Sequence, residues 1–132
     1  MEYVKEEVEN AFRLIGAEAI PLSDDQIRDY LDFHNKNLMS YKIEKIYSPN
    51  FWQELSNLPV VGKSSLIACD VRFHGWLFDS ATDIKRVISE CVGFPFYVVQ
   101  PEMKYSMYFD DHDCVEIHYD DDLFKDIILS YR

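Results

Sequence analysis

The chain has little of what punctuates or staples a fold. It holds four glycines, five prolines and three cysteines in 132 residues. No Gly/Ser/Pro-rich linker, repeat or low-complexity stretch divides it, so the length reads as one domain spanning 1–132. Cys69, Cys91 and Cys114 are odd in number, far apart and form no CxxC pair. That excludes a disulfide framework and reads as three small apolar side chains in a reducing compartment. No run of 18 apolar residues occurs, so no membrane-spanning helix is expected. The start, Met1-Glu2-Tyr3-Val4-Lys5-Glu6-Glu7, is acidic and amphipathic, unlike a secretory leader. The expected location is the cytoplasm. GxSxG, P-loop, GxGxxG and HExxH patterns are missing, so neither an enzyme nor a bound cofactor is indicated.

Charge of one sign dominates what is present. The net charge is -11, and hydrophobic residues still make up 48% of the chain, enough for a packed core. Residues 1–32 and residues 101–132 each carry nine acids against three bases, while residues 33–100 carry six against seven. Such a chain repels nucleic-acid phosphates and anionic lipid, and attracts a cationic protein surface. Solubility alone is the competing explanation.

Periodicity supplies the elements. Val4, Val8, Ala11, Phe12 and Ile15 recur at helical spacing over 3–15, with Gly16 as the stop. Ser23 and Gln26 form a capping box, and Leu22 and Ile27 a hydrophobic staple, for a second helix running to about Lys36. Ile27, Tyr30, Leu31 and His34 share its apolar face, which makes His34 a core or boundary histidine. Asp25, Asp29 and Asp32 lie on another face. Residues 38–47 alternate only in part and stay open between helix and strand. Phe51, Trp52 and Leu55 suggest a short helix before Pro59. Ile67, Cys69, Val71 and Phe73 alternate, predicting one strand from Ser65 to Phe73 that Gly75 breaks or bulges. Ser80 caps a helix with Ile84, Val87, Ile88 and Cys91 inward, ended by Gly93.

Phe96-Tyr97-Val98-Val99 is a continuous apolar run suited to a central strand. Tyr105, Met107 and Phe109, then Val115, Ile117 and Tyr119, alternate on either side of Asp110-Asp111-His112-Asp113, which predicts a hairpin. A last helix is expected from about Asp121, using Leu123, Phe124, Ile127, Ile128 and Tyr131. The predicted class is α+β, helices packed on a mainly antiparallel sheet.

Residues 110–122 hold Asp110, Asp111, Asp113, Glu116, Asp120, Asp121 and Asp122 with His112 and His118, and no lysine or arginine. Three readings stay open. Asp111, His112, Glu116, His118 or Cys114 could serve a metal or thiol enzyme, and Glu116 with His118 has the i, i+2 spacing that puts two ligands on one strand face. Alternatively, Asp110 to Asp113 are turn residues and Asp120 to Asp122 cap the last helix. Or the segment is a partner-binding face of Tyr108, Asp110, Asp111, His112, Asp113, Glu116, His118, Asp120, Asp121 and Asp122, with Ser106, Tyr108, Glu116 and His118 pointing outward. Acids would then steer a basic protein in, and the rings would anchor it. An acidic nucleic-acid mimic is a further variant.

The segments Phe94-Pro95-Phe96-Tyr97-Val98-Val99 and Tyr105-Ser106-Met107-Tyr108-Phe109-Asp110-Asp111-His112-Asp113, with Asp120-Asp121-Asp122, carry a likeness. In whole-chain character the sequence resembles the small acidic immunity proteins of bacterial contact-dependent growth inhibition systems. That resemblance implies a cytosolic protein binding one cognate toxin domain, often a nuclease. It carries over no residue roles. A nuclease must be basic to hold phosphates, which suits an acidic inhibitor.

Overall fold

A computed structural model describes residues 3–49, 51, 60, 62–91, 93–112 and 114–120. Among them are α1 (Tyr3–Leu14), β1 (Ala19–Pro21), α2 (Asp24–Asn35), β2 (Lys42–Tyr47), β3 (Ser64–Cys69), β4 (Phe73–Phe78), α3 (Ala81–Ser89), β5 (Phe96–Val99), β6 (Tyr105–Phe109) and β7 (Cys114–Tyr119). The strands form one sheet in the order β1-β4-β3-β5-β6-β7-β2, every neighbouring pair antiparallel. The α+β class is as expected. The expected short helix through Trp52 and Leu55 and the last helix from Asp121 fall outside the described residues.

Period-two alternation sends the two faces of the sheet to different helices. On one face, Leu66, Trp76, Phe78, Phe96, Met107 and Phe109 pack with Val8 and Ala11 of α1 and with Ile84, Val87 and Ile88 of α3. On the other, Ile67, Tyr97 and Val99 pack under Ile27, Tyr30 and Phe33 of α2. The sheet is therefore the middle of three layers. β5 is central and buried at all four positions, which explains its unbroken apolar run.

The α2 start is as anticipated. Ser23 Oγ accepts from the Gln26 amide at 3.2 Å, and Gln26 Oε1 accepts from the Ser23 amide at 2.9 Å. Ser23→Ala should destabilise the protein by about 1 kcal/mol in urea unfolding, because a helix-start amide loses its acceptor.

Two expectations change, and one open stretch is resolved. Residues 65–73 are not one strand. β3 ends at Cys69 and β4 begins at Phe73, with Cys69 paired to Phe73 across a turn of Asp70, Val71 and Arg72. Asp70 drives the turn: its Oδ1 accepts from the Val71 amide at 2.8 Å. Gly75 does not break β4 but sits in its ladder opposite Ile67. Glycine suits the close approach there: a Cβ would lie 2.7 Å from Cδ1 of Leu22, just before α2, and 3.3 Å from Ile27 Cγ1, so those side chains would have to shift. Residues 42–47, left open by the sequence, form edge strand β2 against β7.

Candidate functional site

Strand polarity collects acids at one end of the sheet. β3 and β6 both finish there, β7 begins there, and the turn acids Asp70, Asp110 and Asp111 follow. Asp70 and Asp110 leave strands two spacings apart, roughly 10 Å, about one Debye length at physiological salt. The Val4 amide donates to Asp70 Oδ2 at 3.1 Å, bringing the start of α1, with Glu6 in its first turn and Glu7 next to it, to the same end. Cys91 Sγ lies 4.0 Å from the Glu7 carbonyl, which brings Glu90 from the close of α3. Lys5 in α1, Arg72 in the β3–β4 turn and Lys45 in β2, which approaches Glu116 at 3.6 Å, add bases to this end. Exposed apolar side chains stand among these charges: Tyr3 (62% exposed), Tyr47 (75%), Val71 (83%) and Phe73 (45%). The other end of the sheet mixes Lys42, Lys63 and Lys104 with Asp79, Glu102 and Asp120.

The expected partner face does not survive as one continuous patch. Asp120 leaves the far end of β7, about 20 Å of strand from Asp110 and Asp111. Ser106 and His118 do not point outward: both are buried beneath α2, at 0% and 4% exposure. The alternation does put them on one face, but α2 rather than solvent covers it. Tyr108 is half-buried, with its ring centroid 4.5 Å from that of Tyr97. Asp110 is a turn residue, its Oδ1 accepting from the amides of His112 (2.7 Å) and Cys114 (3.2 Å). Asp111 holds a left-handed backbone (φ 62°), which aspartate tolerates. His112 is exposed on the loop. Asp113, Asp121 and Asp122 lie outside the described residues.

A second grouping sits between α2 and β7, and it includes His34, which helical periodicity marks only as a core or boundary histidine. His34 Nε2 and His118 Nε2 lie 3.2 and 3.0 Å from one carboxylate oxygen, Glu116 Oε2. The two imidazoles stack, centroids 3.9 Å apart and planes within 11°. His34 Nδ1 is 2.6 Å from Ser106 Oγ. Lys45 Nζ approaches the other carboxylate oxygen, Oε1, at 3.6 Å. His34 is 1% exposed, and burial first, then neighbouring His118, lowers its pKa to about 4 against the opposing pull of Glu116. Burial works to raise Glu116, but the hydrogen bond from His118 and the charges of His118, His34 and Lys45 outweigh it, leaving its pKa lowered.

Ser106, His34 and Glu116 follow the order of a serine–histidine–carboxylate relay, but His34 Nε2 meets Glu116 without the direction of a hydrogen bond. They also lack the access such chemistry needs, because Ser106 is fully buried and no acyl group can reach its hydroxyl. His34, Glu116 and His118 are instead the residues that could hold a metal ion. His34 was visible as an inward helix residue, and Glu116 with His118 as a strand pair. Comparison with protein families, curated proteins and solved structures finds no match to this chain.

Proposed function

We propose that this chain is an immunity-type binding protein that neutralises a basic, nuclease-like toxin domain in the cytoplasm by direct contact. The observation that carries the reading is the sheet end where Glu6, Glu7, Asp70, Glu90, Asp110 and Asp111 surround exposed Tyr3, Tyr47, Val71 and Phe73. Acids steer a cationic protein into contact, and aromatic and apolar side chains supply the area that holds it. No helix among the described residues is long and apolar enough to cross a membrane.

The test is to mix the protein with the product of the gene adjacent to its own, and to assay both complex formation and that product's activity. A stoichiometric complex that abolishes the activity supports the reading. Active product and no complex contradict it. Charge change localises the contact. Glu90→Lys suits a helix C-terminus, and Asp111→Asn keeps a residue tolerant of the left-handed turn, so the pair should leave stability within about 0.5 kcal/mol. The same pair should slow association about tenfold at low salt, as stopped-flow mixing would read.

A further inference from the structure

The geometry points to a binding site for one divalent transition metal of the zinc class, formed by His34 Nε2, His118 Nε2 and Glu116 Oε2. It goes beyond the partner-binding role and rests on different residues. Ligand atoms about 2.0–2.2 Å from a shared zinc ion lie roughly 2.8–3.1 Å from one another at square angles and roughly 3.3–3.6 Å at tetrahedral ones. The nitrogen-to-oxygen separations here are 3.2 and 3.0 Å. The three donors come from two rigid elements: His34 from the third turn of α2, and Glu116 and His118 from one face of β7.

Hydrogen bonding alone leaves this cluster incomplete. His34 Nε2 is buried and makes no hydrogen bond; its contact with Glu116 has the distance but not the direction of one. His118 Nδ1 is likewise buried without a partner. A cation between the Nε2 atoms and Oε2 would use the lone pair of His34. Ser106 Oγ then accepts from His34 Nδ1–H, the outer hydrogen bond that fixes a ligating imidazole.

Parallel rings cannot both aim at one ion, so loading turns one imidazole out of the stack. If that ring is His118, the turn also moves Nδ1 away from a position where it meets no partner. Lys45 stays with Oε1, leaving Oε2 for the metal. Glu116 is 29% exposed along its side chain, and that opening is the path of entry and the place for a water or partner group as fourth ligand. Two imidazoles and one carboxylate suit Zn²⁺, Co²⁺ or Ni²⁺, while Mg²⁺ and Ca²⁺ prefer oxygen alone.

The experiment uses untagged full-length protein, stripped with chelator and titrated first with Co²⁺ and then with Zn²⁺. The expected result is one Co²⁺ per chain, with the strong visible absorption of four- or five-coordination, erased as Zn²⁺ displaces it. Glu116→Gln and His118→Gln should each weaken Zn²⁺ binding by on the order of 100-fold, and Ser106→Ala by about tenfold. His112→Gln, on the exposed hairpin loop, should leave it unchanged. Circular dichroism checks that each variant folds, and the Co²⁺ spectrum of the unaltered protein stands apart from any variant. Absence of saturable Co²⁺ and Zn²⁺ binding by the unaltered protein overturns the site. So does Zn²⁺ binding that folded Glu116→Gln and His118→Gln retain in full, since the ion would then sit on surface acids.

Discussion

At about pH 8 the native protein should react with an aromatic disulfide reagent at Cys69 and Cys91 roughly 30- to 60-fold more slowly than the same chain unfolded in urea. Burial pushes the Cys69 thiol from its usual 9.0 up to about 12. Cys91 reaches about 12 through burial, with Glu7 and Glu90 adding to it. A rise of that size lowers the thiolate fraction about a thousandfold, and the stronger intrinsic nucleophilicity of a high-pKa thiolate returns roughly 15- to 30-fold. Restricted access slows labelling further. Cys114, at the start of β7, is raised by burial, then by Asp110 and Glu116, with Lys45 opposing. Its shift is the smallest of the three, so it should label first. Native Cys69 or Cys91 reacting as fast as the unfolded control would contradict the burial assigned to them. These shifts run against activation, so the thiol form of an enzyme reading gains no support from them.

Chelator-treated protein should lose stability as the pH falls from about 6.5 to about 4. In the unfolded chain His34 takes up a proton near 6.5; folded, it resists until about 4, because protonation would place a charge in a buried site beside His118. Between those values the unfolded state binds more protons, so stability is full above 6.5 and declines with acid. The difference corresponds to as much as about 3 kcal/mol, read as a falling urea midpoint. Below 4 both states are protonated and His34 contributes no further slope. Glu116 acts in the same direction at lower pH: its folded pKa is depressed, so its contribution is lost as acid protonates it. His34→Gln should flatten the decline between 6.5 and 4. A variant with the same acid slope as the parent would show that the slope originates elsewhere.

Local signals were legible where they agreed with the tertiary structure. The Ser23–Gln26 box, the Ser80 cap, the central apolar run 96–99 and the β6–β7 hairpin all stand as read. The β3–β4 turn was hidden because Ile67, Cys69, Val71 and Phe73 continue period two straight through it. The turn contains no glycine or proline, and Asp70 does the work with its side chain. β2 was ambiguous because it is an edge strand whose exposed Ile43 and Tyr47 blur the alternation. β1, three residues at the opposite edge, is too short to show a period.

The site was less legible than the fold for a physical reason. Alternation says which side chains share a face, not which face a helix covers. Ser106, Tyr108, Glu116 and His118 do share a face, yet only the docking of α2 shows that Ser106 and His118 are buried and that His34 meets them. His34 and Glu116 are far apart in sequence, and no spacing rule joins them. The gathering of Glu6, Asp70, Glu90 and Asp110 likewise depends on strand polarity.

The most direct measurement is the association rate of the full-length protein with the product of the adjacent gene, across a series of salt concentrations. Docking through the acidic sheet end predicts a rate that falls steeply as salt rises, with Glu90→Lys/Asp111→Asn both slower and less salt-dependent. A rate that ignores salt, or a variant that matches the unaltered protein at every concentration, would contradict it.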